Sequence, residues 1–514
     1  MTEVLFTQSY LLRFDRKLHE AMQPYPPLGC LQAAAVVRNQ GFEVDVFDAM
    51  LADDVSEFRL YLSDAKPRYV VIYEDNFNYL SKMCLTRMRD AALQMIADSV
   101  EQGAVVIVCG SDATDHAKRY LDAGARYVIQ GEGDATIEEL LQWLEGRSEK
   151  QVQEISGLIW LRNNEVHTNA KRPVLRDLDK LPWPAWDLID IGRYRQLWLS
   201  HHGRFSMSLV TARGCPFHCN WCAKPIWGQR YNSHSPERVV EFMRHLKETY
   251  GAEHIWFMDD IMGLQRGWMR RLAGLLEQSD ARLPFKCLSR ADLLVRDDEV
   301  AAFADAGCEI IWIGAESGSQ KILDAMDKGT QLEEIERAAQ MLQEHGVKVA
   351  FFLQFGYPGE GREQIQQTRD LVRRCQPDDI GISVSYPLPG TRFYDKVETQ
   401  LGDKQNWVDS ADLEMMYHGP FTSDFYRHLH TVIHKEYRSA KIWRQLLKWE
   451  LPKDHKGLKR IARMMWDRVT LGAAERRLDR LALVAHVGID PIQGTLSPEQ
   501  AAQPSPQDTV ESRA

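Results

Sequence analysis

The sequence predicts an α/β chain in three parts: an N-terminal doubly wound parallel sheet, a central partial (β/α)6 barrel and a helical C-terminal region. Three observations predict it. Short apolar runs alternate with helical periodicity up to about residue 395. The alternation breaks once, at 151–204, where Pro182, Trp183, Pro184 and Trp186 cluster. From 396 onward the pattern is helical.

In the first part, 1–150, strands are expected at Val4–Thr7, Phe42–Phe47, Tyr69–Tyr73, Ala104–Cys109 and Tyr127–Ile129. Helices are expected at Leu28–Asn39, Val55–Ser63, Tyr79–Ser99, Asp115–Ala123 and Ala135–Leu144. Strands apolar on both faces belong in a parallel, flavodoxin-like sheet with helices on each side. Ligands of such sheets lie beyond the strands' carboxyl ends. Residues 151–204 read as a structured linker, with a hairpin at Gly157–Thr168 and the Pro-Trp cluster packed on a domain surface.

In the barrel part, 205–395, strands are expected at Ser206–Ala212, His254–Met258, Phe285–Ser289, Ile310–Gly314, Lys348–Gln354 and Ile380–Ser385. The helices are Pro236–Tyr250, Gly267–Gln278, Asp297–Ala306, Leu332–His345 and Glu363–Cys375. Six βα units fit a partial barrel; a second open sheet is the alternative. Residues 396–489 read as helical, and 490–514, with four prolines among Gln, Ser and Glu, as a disordered tail.

Composition narrows the function classes. With 63 basic and 73 acidic residues the net charge is −10, which gives nucleic-acid binding no support. No apolar run approaches the ~18 residues of a membrane span. Met1–Tyr10 lacks the basic and apolar segments of a signal peptide, so a cytoplasmic location is expected. Nine cysteines are too few for a disulfide scaffold, and in a reducing compartment they stay free.

Their spacing carries the sharpest signal. Cys215, Cys219 and Cys222 form Cys-x3-Cys-x2-Cys just after the first barrel strand, where barrel active sites are built. Random placement would give about 0.003 such triplets. Thiolates in a tight loop suit zinc or an iron–sulfur cluster. Zinc needs a fourth ligand, with His218, His201 and His202 as candidates. A four-iron cluster on three thiolates leaves one iron open.

The segment Thr211–Cys222, with Trp221 before the last cysteine, resembles the signature of the radical S-adenosylmethionine (SAM) superfamily. The resemblance covers roughly 205–395. It implies that the three thiolates hold a [4Fe–4S] cluster whose open iron chelates SAM. Reductive cleavage then gives a 5′-deoxyadenosyl radical that takes hydrogen from the substrate. It implies SAM contacts from Trp221, from Asp259 and Asp260 at the second strand end, and from Arg290 at the third. It extends them to Glu316 and Ser317 in Gly314-Ala-Glu316-Ser317-Gly318 and to Gln354 at the fifth. Simpler readings stand beside these: a helix N-cap at Asp260, and an ion pair between Arg290 and Asp292.

The N-terminal part resembles the cobalamin-binding domain that precedes one class of these enzymes. Pro26-Pro27-Leu28-Gly29, Cys109-Gly110-Ser111-Asp112 and Gly131-Glu132-Gly133 carry the resemblance. It implies cobalamin contacts from Gly110, Ser111, Gly131, Glu132 and Gly133. The alternative is that these glycines are turns of a doubly wound fold. The mutases' Asp-x-His-x-x-Gly string is missing, so the resemblance assigns no lower cobalt ligand.

Met415–Tyr426 resembles the tail of the anaerobic magnesium-protoporphyrin monomethyl ester cyclases. From His434 to Arg480, 14 basic residues face 6 acidic ones. Such a reversal suits an acidic substrate, a redox protein or peripheral contact with a membrane; the plain reading is a solvated helical face. Together these features imply a cobalamin-dependent radical SAM enzyme. It methylates an unactivated carbon of a small molecule, or of a lipid- or tetrapyrrole-like substrate. A low-potential flavodoxin- or ferredoxin-like donor would supply the electron. The alternatives are an oxidative cyclase, a cobalamin sensor without catalysis, and a zinc-stabilised binding module.

Overall fold

The computed structural model describes residues 2–77, 85–224, 226–404, 406–447 and 455–483. Two sheets carry the chain. The first has β1 (Val4–Thr7), β2 (Val44–Val46), β3 (Tyr69–Tyr73), β4 (Val105–Cys109), β5 (Tyr127–Ile129), β6 (Leu158–Arg162) and β7 (Glu165–Thr168). Their order is β2-β1-β3-β4-β5-β6-β7, and the first five are parallel. After β2 the chain crosses back to the other side of β1, so the switch point lies between β1 and β3, at their carboxyl ends. The expected hairpin pairs antiparallel onto the edge of this sheet as β6 and β7.

The second sheet has β8 (Ser206–Leu209), then β11 (His254–Phe257), β12 (Phe285–Ser289), β13 (Cys308–Glu316), β14 (Lys348–Phe355) and β15 (Asp379–Val384). All are parallel and each lies beside its neighbour in sequence. With no reversal of order, right-handed crossovers put every helix on one face. The other face is left concave, as in a barrel, and the open-sheet alternative falls. Among the described residues no pairing joins β15 to β8, so the barrel is partial. Between β8 and β11, β9 (Ala212–Arg213) and β10 (Asn232–Ser233) pair as an antiparallel ribbon.

Several details differ from expectation. The first barrel strand ends at Leu209, because Thr211 turns to bond Asp259. The expected helix 115–123 is broken at His116, leaving Ser111–Asp115 and Ala117–Asp122. Helices Ile191–His202, Gln320–Ala325 and Arg392–Val397 lacked a readable apolar stripe. The start of helix 79–99 and the tail 490–514 lie outside the described residues; the described helix spans Thr86–Glu101.

One apolar core runs through both sheets, from Phe6 and Tyr73 through Phe205 and Phe285 to Tyr426. Trp183 and Trp186 pack edge-on against Phe242 of helix Pro236–Tyr250, which accounts for the Pro-Trp cluster. Helices Ser423–Leu447 and His455–Leu481 form an antiparallel hairpin, with His428 against Ala474 and Arg438 against Asp467. Arg369 clamps the hairpin to the barrel through Glu436 and Glu475.

Candidate functional site

The cysteine loop, 214–231, leaves the ribbon at Gly214. A Cβ there would lie 2.4 Å from the Arg230 carbonyl oxygen, and φ is +84°, so only glycine fits. Beneath the loop, the buried Asp259 carboxylate accepts from the Thr211 amide at 2.9 Å and its hydroxyl at 2.7 Å. Burial pushes Asp259 up to about 7. Asp259 therefore holds the loop's root. Asp260 is exposed and caps no helix, since the next one begins at Trp268.

The loop's centre is fixed by Asn220, which sequence reasoning passed over. Its amide donates to Met326 O at 3.0 Å, and its Nδ2 to Ala325 O at 2.8 Å and Asp327 Oδ2 at 3.0 Å. Its Oδ1 accepts from the Tyr357 hydroxyl at 2.9 Å, and its carbonyl from the Phe393 amide at 3.0 Å. One residue, through its side chain and its backbone, thus ties the cysteine loop to the segments after β13, β14 and β15. The available signal was a carboxamide, a residue that bonds in four directions, between two cysteines.

Cys215, Cys219 and Cys222 form no disulfide among the described residues and are half-buried. Burial raises the Cys215 thiol, and Lys224 opposes the shift. Arg290 lies over the Phe217 ring at 3.6 Å with Nη1 3.8 Å from Cys219 Sγ. It also donates to Asp292 at 2.8 Å, to Lys328 O at 2.8 Å and to Thr330 at 3.0 Å. The ion pair with Asp292 is therefore present, and the guanidinium is held beside the sulfurs. Lys328 is buried close by and bonds Glu316 Oε1 at 2.9 Å. The Glu316 carboxylate raises its pKa against burial, which acts the other way.

Glu316 reaches Lys328 from a left-handed backbone, φ +57°, at a register shift in β13. A Cβ on Gly314 would lie 2.6 Å from the Glu316 carboxylate, so the pair folds over a glycine. Ser317 meets Thr368 at 3.3 Å and turns toward helix Arg362–Cys375. Gln354 donates to Ser385 at 3.1 Å. The Trp221 indole nitrogen is buried with no hydrogen-bond partner among the described residues.

Arg290 beside Cys219 and Lys224 acting on Cys215 bring positive charge to the sulfurs. That donor set and that field fit an anionic iron–sulfur cluster, in which each thiolate binds a different iron. Zinc would need a fourth ligand beside the three thiolates. His218 is exposed, and His202 bonds Met22 O at 2.7 Å, on the helix before the barrel.

Below the loop, register sets the concave face. Trp256, Lys286 and Ile310 align across three strands; Leu288, Trp312 and Ala350 form the next row, and Gly314, Phe352 and Gly381 the third. Trp312 and Phe352 stack at 4.5 Å, and Phe352 is 38% exposed. Lys286 Nζ sits 3.8 Å over Trp256, and burial pushes it down to about 8. The N-terminal domain closes this end: Tyr25 meets Trp256 at 5.6 Å, and Ser208 donates to Pro26 O at 3.4 Å.

The N-terminal strand ends are used differently. Glu132 and Asp134 both accept from the buried Arg213 of β9, at 2.5 and 2.7 Å, and Glu132 also accepts from the Leu175 amide. A Cβ on Gly133 would lie 2.6 Å from Cys109 Sγ, and one on Gly110 2.8 Å from Glu74. Gly131 has φ +79° and donates to Thr114, and Ser111 donates to Asn76 at 3.4 Å. At the switch point, Glu74 accepts from the Ser9 amide at 3.3 Å, and burial pushes it up to about 7. The buried Tyr10 hydroxyl has no partner among the described residues.

Comparison with known proteins places this geometry. Residues 209–372 match the radical SAM superfamily. The chain is 27% identical over 395 residues to an uncharacterized methyltransferase of Pyrococcus horikoshii, covering 74% of this chain and 81% of that one. It is 25% identical over 315 residues to an anaerobic magnesium-protoporphyrin IX monomethyl ester cyclase of Cereibacter sphaeroides, covering 60% and 50%. The fold is similar to TsrM from Kitasatospora setae, a radical SAM methyltransferase solved with cobalamin and a [4Fe–4S] cluster (TM-score 0.64, 20% identity, 78% of each chain). It is also similar to the cobalamin-dependent radical SAM enzyme OxsB (TM-score 0.67, 14% identity, 93% of this chain and 80% of that one).

Proposed function

Taking 209–372 as a radical SAM domain, we propose that the chain is a cobalamin-dependent radical SAM enzyme that methylates an unactivated carbon of a small molecule. The observation that carries this reading is the trio of half-buried cysteines beside Arg290 and Lys328, above a concave apolar face. Cys215, Cys219 and Cys222 would hold the [4Fe–4S] cluster. When bound, the cluster supplies the electron that cleaves SAM. Asn220 fixes the loop's shape, and Arg290 steadies the negative charge on Cys219. Trp221, Asp260, Glu316 and Gln354 would contribute the SAM contacts.

Cobalamin is supported by the strand order β2-β1-β3-β4-β5 and by the fold shared with TsrM and OxsB. When bound, it would supply the methyl group. Gly110, Ser111, Gly131, Glu132 and Gly133 all make contacts within the chain, so their proposed part is to shape the strand ends. The Trp312–Phe352 stack suits a planar or apolar substrate body, and Lys286 an anionic group on it. The cation would hold one end of the substrate while the stack keeps water from the reacting carbon.

The likeness to the Cereibacter cyclase favours oxidative cyclisation as a second reading. A low-potential electron donor and a cytoplasmic location belong to both. Among the described residues no helix is long and apolar enough to cross a membrane. Product mass under anaerobic turnover separates the two. A gain of one methylene supports methyl transfer, and a loss of hydrogen with no added carbon supports cyclisation.

A further inference from the structure

The last helix, His455–Leu481, carries two apolar stripes. Met464, Ala474 and Leu478 are buried against the hairpin partner and the barrel. Leu458, Met465 and Val469 follow at spacings of seven and four, which puts them on one meridian of the opposite side. They are 60%, 61% and 80% exposed, and Trp466 beside them is 66% exposed. Trp443 of the partner helix extends the patch, with the Arg468 guanidinium 5.5 Å above its ring.

Charge is sorted across the same helix. Its acids are engaged by the rest of the chain: Asp467 with Arg438, Glu475 with Arg369, and Asp479 with Arg362. Its outward bases, Lys459, Arg463, Arg468, Arg476, Arg477 and Arg480, have no acidic partner among the described residues. An apolar ridge tipped with tryptophan and flanked by Lys and Arg is left facing out of a chain of net charge −10.

We propose that this face docks on an anionic lipid bilayer. The basic residues match the headgroup charge, and Trp466, Met465 and Val469 enter the interface to a shallow depth. The acidic remainder is repelled by the same surface, which orients the chain with the hairpin toward the lipid. A second copy fits poorly, because two such faces would oppose like charges.

The test is co-sedimentation of the full chain with phosphatidylcholine vesicles, with and without phosphatidylglycerol. The chain is expected to sediment with the anionic vesicles, to shift its tryptophan emission to the blue and to be released by salt. The double variant Met465→Glu/Val469→Glu should bind roughly tenfold more weakly or worse, with an unchanged thermal melt because both side chains face solvent. Failure of the parent to bind anionic vesicles, or equal binding by the variant, overturns the proposal. So does a dimer, or a complex with an acidic protein, that the variant dissolves while vesicle binding is absent. None of these outcomes depends on the radical SAM chemistry.

Discussion

The cysteine loop and the N-terminal strand ends are both glycine-rich turns beyond parallel strands, yet they hold their polar groups differently. In the cysteine loop the backbone is tied down by Asn220 and Asp259, and the three thiols are half-buried, with the Arg290 guanidinium beside Cys219. At the N-terminal strand ends, Glu132, Gly133 and Gly110 are engaged inside the chain. The difference teaches where to look for chemistry. A motif whose scaffold is held by neighbouring carboxamide and carboxylate groups, leaving its sulfurs outside that framework, is built for a ligand; a motif whose polar side chains form the framework itself is built for packing.

Substitutions can break that contrast. The largest effect is expected from Cys219→Ala. It should abolish SAM cleavage, measured as 5′-deoxyadenosine under strong reduction, with little change in melting temperature; persistent cleavage would contradict the site. Next comes Arg213→Met, which strands Glu132 and Asp134 as buried carboxylates and should cost about 3–5 kcal/mol in denaturant unfolding. A loss near zero would mean that the pair does not join the two domains. Asn220→Ala removes bonds to Ala325, Asp327 and Tyr357 and should cost about 2–4 kcal/mol. It should also lower iron retention after anaerobic reconstitution; unchanged retention would show that the loop keeps its shape without it.

The smallest effect is a pH dependence. Burial pushes Glu360 up to about 8, with one oxygen accepting from the Gly356 amide at 2.6 Å. The folded chain keeps a proton there that the unfolded chain loses near 4.5. Its contribution is therefore full below that value and is lost as pH rises through about 8. The parent's melting temperature should fall relative to that of Glu360→Gln between pH 5 and 9. Parallel curves would mean that Glu360 ionises freely in the fold.

Much of the architecture was legible because buried parallel strands write themselves as apolar runs, and all six barrel strands overlap the runs expected for them. The cysteine trio was legible because its spacing is local. Contacts that cross the chain were not. Arg213 pairs with Glu132 across 81 residues, and nothing in either neighbourhood announces the other. Lys328 pairs with Glu316 only because β13 shifts register and its terminal residue turns left-handed. Asn220 reads as an ordinary polar residue until three loops converge on it.

The central claim is a cluster with one coordination site left open to SAM. Anaerobic reconstitution, with iron and sulfide analysis and electron paramagnetic resonance of the reduced protein, tests it most directly. The account predicts about four irons and four sulfides per chain, and a reduced-cluster signal that changes shape when SAM is added. A signal indifferent to SAM, or stoichiometric zinc in place of iron, would contradict it.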